Sequence, residues 1–414
     1  MSQKNLLVIG YVWPEPKSSA AGARMMQLLE FFLAEGYAVT FATTATKTGF
    51  MADLSSFGIA SEKIELNNKS FDEFLLKISP EIVIFDRFMM EEQFGWRVAE
   101  VCPEAIRILD TEDLHFLRKA RQEAVKAGKE LSTSALFTNL AKREVASIYR
   151  CDLSLIISEA EAELLSSSFG VPEKLLFYLP FMLKNISEEK KAALRTFEAR
   201  KDFISIGNFL HEPNRDAVIR LKTVIWPLIR QEMKEAKIHI FGAYIPQQIL
   251  EFHNEQEGFM VHGRAASAKT EIAKARVLLA PIRFGAGIKG KFTDAMQVGT
   301  PAVTTSVGAE SMARDFPWNG FISDAPSEFA SAAVSLHDNE AVWQEAQENG
   351  FRILKEIFSE EKHRKRFQNI LKTLDSGLQQ HRNSNFTGLM LQHHALNSTK
   401  YLSKYIEAKN RNRP

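Results

Sequence analysis

Short apolar runs rich in strand formers alternate with amphipathic helical stretches as far as about residue 305, and this alternation limits the fold more than any other feature. Asn5–Ile9 leads into Arg24–Glu35, where Met25, Leu28, Leu29, Phe32 and Leu33 recur at helical spacing, and then into the strand-like Tyr37–Thr43. This is a βαβ unit. The pattern returns at Glu81–Phe85, Ala105–Leu109, Leu153–Ile157 and Leu175–Leu179. Runs apolar on both faces belong in covered sheets, so the first half predicts a mostly parallel sheet flanked by helices, with right-handed crossovers.

Between residues 185 and 202 the apolar pattern fades, and Glu188, Glu189, Lys190, Lys191, Arg195 and Glu198 suggest a solvated helical linker. Alternation restarts at Phe203–Ile206, Lys237–Phe241, Phe259–Val261, Val277–Pro281 and Ala302–Thr305. The chain's 414 residues exceed the length at which a single core stops growing, roughly 250–300 residues. The expectation is an α/β protein with domains at 1–184 and 203–375 and a helical tail at 376–414. Within the tail, Leu389–Lys409 distributes Leu391, Leu396, Tyr401, Leu402 and Tyr405 along a predicted helix that needs a surface to dock on. No motif recurs at the fixed period of a solenoid or propeller.

Charge narrows the function classes. Lys and Arg (52) balance Asp and Glu (51), so no global field draws nucleic acid, and any anion site is local. No apolar stretch reaches the roughly 18 residues of a spanning helix, and Leu6–Ile9 is too short for a signal-peptide core, so a cytoplasmic location is expected. Cys102 and Cys151 stand far apart without metal-ligand spacing, which predicts buried thiols and neither disulfide framework nor metal site.

Ligands of open parallel sheets bind beyond the carboxyl ends of the strands, so the loops there hold the candidate site residues. The first, residues 10–22, brings Ser19 and Gly22 to a helix start, where free amides meet phosphate or sugar; an ordinary flexible βα loop has the same composition. Asp110-Thr-Glu-Asp-Leu-His115 crowds three carboxylates and a histidine, which suits acid–base chemistry by Asp110, Glu112 and His115 or, equally, a helix cap. Arg87, ending another strand, lines the same cleft or the surface. Residues 207–214 precede a helix whose N-terminus His211, Asn214 and Arg215 would complete as an anion site. The most informative loop follows Val277–Pro281. Gly285, Gly287 and Gly290 match G-x-G-x-x-G, with Glu310 near the position of a ribose-binding acid. Arg283, Lys289 and Lys291 suit a charged diphosphate better than a dinucleotide cradle, and Asp294 shares a helical face with Lys291.

Residues 285–310 resemble the donor-binding segment of the group 1 glycosyltransferases of the GT-B fold. His211-Glu-Pro-Asn-Arg-Asp-Ala217 is similar to the first loop of their second domain, and Leu6–Phe41 to their opening βαβ unit. The resemblance implies two Rossmann-like domains facing across a cleft, with C-terminal helices crossing back to the first. It implies a nucleotide-sugar donor held by Lys289 or Lys291, the Gly287 and Ile288 amides and Asp294 on ribose. Other expectations are a glycan, lipid-linked or small acceptor, retention of configuration, no cofactor, and peripheral membrane contact without a spanning segment. Asp294 stands at the second Glu of the family's Glu-x7-Glu motif and Ala286 replaces the first; the first-loop Arg and Lys pair of many relatives is absent, with His211 and Arg215 the nearest substitutes. Alternatives on the same fold are a nucleotide-sugar epimerase and a catalytically degenerate sugar-nucleotide-binding protein.

Overall fold

The computed structural model describes residues 4–411, apart from the side chains of 394–396 and 411; Leu396 of the tail pattern and the ends of the expected first domain and tail therefore lie outside the described residues. Seven strands build the first sheet: β1 (Asn5–Gly10), β2 (Ala38–Thr43), β3 (Ala60–Lys63), β4 (Ile82–Asp86), β5 (Ile106–Asp110), β6 (Leu153–Ile156) and β7 (Leu176–Tyr178). All pair in parallel in the order β3-β2-β1-β4-β5-β6-β7. The second sheet contains β8 (Lys201–Ile206), β9 (Ile238–Phe241), β10 (Phe259–Gly263), β11 (Ala275–Ala280), β12 (Ala302–Thr304) and β13 (Gly320–Ile322). It is also parallel, in the order β10-β9-β8-β11-β12-β13.

Period-two alternation explains the double burial of the central strands. Leu7, Ile9, Val83, Phe85 and Leu109 pack on one face of the first sheet, and Leu6, Val8, Ile82, Ile84 and Ile108 on the other. Strand order reverses between β1 and β4 and again between β8 and β11. Each reversal opens a crevice at the carboxyl edge, and the two crevices face each other.

The chain returns to the first domain earlier than the expected residue 376. Ser359 caps the helix Glu360–Asn383. Phe367, Leu371 and Leu374 of that helix complete the first domain's core, with Phe367 4.8 Å from the ring of Phe31. Glu361, Lys362, Lys365 and Arg366 at its start face solvent, while His363 turns inward with the core face. The outgoing and returning segments meet where Leu183 N–H donates to Phe358 O at 2.8 Å and Glu360 N–H to Leu183 O at 2.9 Å.

The expected linker is not solvated at its end: Arg200 is buried, donating to Val298 O at 2.6 Å and lying 5.2 Å from the Trp343 ring. The helix Phe386–Arg411 docks on Phe88–Val101 and Asn139–Arg150. Tyr401, Leu402 and Tyr405 face solvent instead of that interface. Cys151 is buried as expected, whereas Cys102, just after a helix end, is only half-buried. No helix among the described residues is long and apolar enough to cross a membrane.

Candidate active site

A cavity of about 820 Å³ fills the space between the two crevices. Its second-domain wall is the turn between β11 and the helix Gly290–Gln297. Gly287 has φ 64°, and a Cβ there would lie 3.0 Å from Asp113 Cβ. At Gly290 a Cβ would approach Ala20 Cβ to 2.8 Å. These glycines allow the helix Gly290–Gln297 to point its N-terminus at the N-terminus of Ala20–Ala34 in the first domain. Two positive helix ends therefore border one cavity.

Lys289 and Lys291 stand at the same place. Lys289 Nζ donates to Gly287 O at 3.0 Å and Lys291 Nζ to Asn214 Oδ1 at 2.8 Å. Neither has an ion-pair partner among the described residues. Burial pushes both ammonium pKa values down to about 8, and Lys289 adds to the effect on Lys291. A partly buried pair of cations with no ion-pair partner among the described residues, set at two helix N-termini, has the chemistry to receive an anion. Asp294, whose carboxyl burial shifts upward, lines the cavity 3.6 Å from Lys269 Nζ.

The first-domain wall holds His115, at the start of the helix His115–Lys126. Burial lowers its pKa to about 4, against the pull of Asp113, whose Oδ1 is 3.5 Å from His115 Nε2, so the imidazole is neutral near pH 7. Burial works to raise Asp113, but Arg118 and His115 outweigh it and hold the carboxyl at about 2. Glu112 has φ 60° and is pushed up to about 8 by burial and by Asp110, with its Oε1 unpartnered. Arg87, at φ 72°, lies 5.1 Å from the Tyr11 ring.

Ser19, Arg87, Glu112 and His115 thus meet His211, Asn214, Gly287, Ile288, Lys289, Lys291 and Asp294 around one cavity. Five expected residues do not line it, among them Arg215, whose Nη2 donates to Gln248 Oε1 at 2.7 Å. Asp110 is fully buried, accepting from Arg24 Nε at 3.1 Å and Nη2 at 2.9 Å. Gly22 packs on the Glu15 backbone, where a Cβ would come within 2.5 Å. Arg283 pairs with Asp216, its Nε 2.9 Å from Oδ2. Glu310 is clamped by Arg121 of the first domain at 2.6 and 2.8 Å, and the same guanidinium donates to Gly285 O at 2.9 Å. These partners come from distant segments and hold the charges away from the cavity.

The Gly287 amide, expected to face the diphosphate, donates to Glu161 Oε1 of the first domain at 2.6 Å. That oxygen also accepts Leu114 N–H at 3.2 Å. Glu144 accepts His115 N–H and Phe116 N–H, each at 3.0 Å. Two carboxylates therefore cap the helix that carries His115, and one of them also grips the glycine turn. Burial raises Glu161 to about 7 and Glu144 to about 8. Sequence reasoning missed both, since each sits on an ordinary amphipathic helix with no local motif.

Residues 200–339 match the family described as Glycosyl transferases group 1. The match spans most of the second domain. Among solved structures, the chain is similar to sucrose-phosphate synthase from Thermosynechococcus elongatus, at 13% identity and TM-score 0.68, covering 91% of this chain and 100% of that one. HepE of Anabaena, in complex with UDP-glucose, is similar at 13% identity and TM-score 0.63, over 90% and 99% of the chains. A TarM variant of S. aureus in complex with UDP and alpha-GlcNAc-glycerol is similar at 14% identity and TM-score 0.57. That match covers 72% of this chain and 57% of TarM's. The two facing Rossmann-like domains with returning C-terminal helices are the GT-B architecture of this glycosyl transferase group. No curated protein matches the sequence.

Proposed function

We propose that the protein is a retaining glycosyltransferase that moves a sugar from a nucleotide-diphosphate sugar to a hydroxyl of a glycan, a lipid-linked saccharide or a small molecule. One observation carries the reading: Lys289 and Lys291 lie partly buried, without a carboxylate partner among the described residues, at the N-terminus of Gly290–Gln297. A diphosphate supplies the missing charge, and its leaving is the step these groups assist most. The bond from the sugar's anomeric carbon to the diphosphate oxygen breaks, the acceptor oxygen bonds to that carbon, and its proton passes to the departing phosphate on the same face. Asp294 serves the ribose hydroxyls. Neutral His115 reaches the sugar or acceptor from the first domain, and Arg87 and Glu112 serve the acceptor side.

Lysines and helix amides supply the positive charge in this scheme, so it calls for no catalytic metal. UDP is the first nucleotide to test, because HepE and TarM are its structural relatives seen with UDP or a UDP sugar. A thermal-shift panel of UDP and GDP sugars tests donor binding; saturation at about 100 times Kd stabilises by about 2.7 kcal/mol. Proton NMR of fresh product then reads the anomeric coupling. Absence of any nucleotide-dependent shift sinks the donor assignment, an inverted product sinks the mechanism, and conversion of donor to its epimer without acceptor makes the protein an epimerase.

A further inference from the structure

Behind the first-domain wall of the cavity, three carboxyl groups meet two guanidinium groups. Asp86 and Asp110 are direct partners across β4 and β5 and end the two strands side by side, both buried. Asp110 Oδ1 accepts from Arg24 Nη2 at 2.9 Å. Asp86 Oδ2 accepts Tyr11 N–H at 3.0 Å, and its Oδ1 lies 3.8 Å from Arg87 Nε. Each arginine is thus matched to one aspartate. Glu112 is the carboxyl left over: no ion pair reaches it among the described residues, and its Oε1 is buried without a partner, as are Asp86 Oδ1 and Asp110 Oδ2. Asp113, the other acid of this loop, is taken up by Arg118 and His115.

A third buried negative charge beside this balanced set is costly, so the group retains a proton. Asp86 and Asp110 are sealed off, whereas Glu112 lines the cavity, held there at φ 60°. Burial and then Asp110 push its pKa up to about 8 against the pull of Arg87 and Arg24, and burial raises Asp86 as well. Arg87 lines the same wall, its guanidinium 5.1 Å from the Tyr11 ring and without a hydrogen bond among the described residues. Two donors that lack acceptors, a carboxylic O–H and a guanidinium, therefore border the acceptor side of the cavity.

Resting on the transferase reading of this cavity, we propose that Glu112 meets the acceptor as an uncharged carboxylic acid and donates its O–H, beside an Arg87 N–H, to oxygens that flank the reacting hydroxyl. Asp86 and Asp110 are positioning residues that keep the proton on it. The acceptor class that fits is a sugar or polyol with an oxygen on the carbon next to the reacting hydroxyl, not a simple alcohol. An acceptor without that oxygen leaves two buried donors unpaired, which a binding site penalises heavily. A carboxyl that already holds its proton is no base, so the acceptor's proton still passes to the departing phosphate.

Infrared difference spectra of the full chain, wild type minus Glu112→Gln, read the proton directly. The C=O stretch of an un-ionised carboxyl is expected at pH 7, fading as pH rises through about 8. In an Asp86→Asn background, which keeps an oxygen for Tyr11 N–H but removes a charge, the midpoint should fall by about one pH unit or more. Transfer is then followed as nucleotide release at saturating UDP-glucose, or the tightest binder of the thermal panel, whose diphosphate keeps Lys289 and Lys291 charged. Glycerol should be preferred to propanol by at least about 100-fold in kcat/KM. Glu112→Ala should lower the glycerol value by about 30- to 100-fold. Glu112→Gln still offers an N–H, so it should recover to within about fivefold of wild type and lose the wild-type decline above pH 8. No carboxylic acid band at pH 7, equal use of the two alcohols, or a Gln variant as slow as the Ala variant overturns the proposal. The band needs no sugar nucleotide, so its absence counts against Glu112 alone, whereas a band with no nucleotide shift in the thermal panel sinks the transferase reading and the acceptor role with it.

Discussion

Replacing Lys291 with Met should weaken nucleotide binding while leaving the empty protein at least as stable. Lys291 donates a hydrogen bond to Asn214 Oδ1 at 2.8 Å and has no carboxylate partner among the described residues. Burial lowers its pKa from 10.5 to about 8, so the folded protein bears a cost for keeping it charged. Each pKa unit is 1.36 kcal/mol, and discounting for the side chain's remaining exposure leaves a cost on the order of 1–3 kcal/mol. Methionine removes that cost and retains most of the apolar stem. Against a bound diphosphate the lysine makes a charge-assisted hydrogen bond worth about 1.5–3 kcal/mol, so its loss should raise the Kd roughly 10- to 150-fold.

The pH dependence follows the same sign. The folded pKa lies below the unfolded value, so the cost is full below about pH 8 and fades toward 10.5; the empty wild type gains this contribution as pH rises. Binding an anion reverses the shift and takes up protons, so wild-type affinity should fall as pH rises through 8, and the Met variant should lose part of that dependence. Calorimetric titration with UDP in buffers of different ionisation enthalpy reads both Kd and proton uptake. Lys291→Met and Lys289→Met binding as tightly as wild type, with unchanged proton uptake, would refute the argument.

His115→Ala should lower kcat by about 10²–10⁴ and leave UDP affinity nearly intact; because burial holds the imidazole near pKa 4, the wild-type rate should show no step from His115 between pH 5 and 8. Glu161→Ala frees the Leu114 and Gly287 amides together, so spin-label distances between the domains should lengthen and kcat fall, whereas Glu161→Gln keeps an accepting oxygen and should remain close to wild type. An Ala variant with unchanged distances and rate would make Glu161 an ordinary buried cap. Turnover should persist in EDTA, and a complete loss restored by a divalent cation would replace the lysine-based account of leaving-group stabilisation with a metal-based one.

Features written in short stretches of chain were legible without the fold. Alternation of strand and helix periods announced two α/β units, because burial of a parallel strand depends on residues within the strand itself. The turn from Gly285 to Lys291 and the neighbouring Asn214, His211 and Asp294 were likewise visible as loops at strand ends, and the two crevices bring them into one cavity. What the tertiary structure decided is which charges are free to act. Asp110, Arg283 and Glu310 look like site residues in the sequence, yet each is claimed by a partner from another segment: Arg24, Asp216 and Arg121. Glu144 and Glu161 look like surface residues, yet they cap the helix of His115 and, through Glu161, the glycine turn. The physical reason is range. Hydrophobic periodicity acts between neighbours along the chain, whereas a carboxylate's role depends on which donor the folded chain brings within about 3 Å, and that is set by strand order and domain closure.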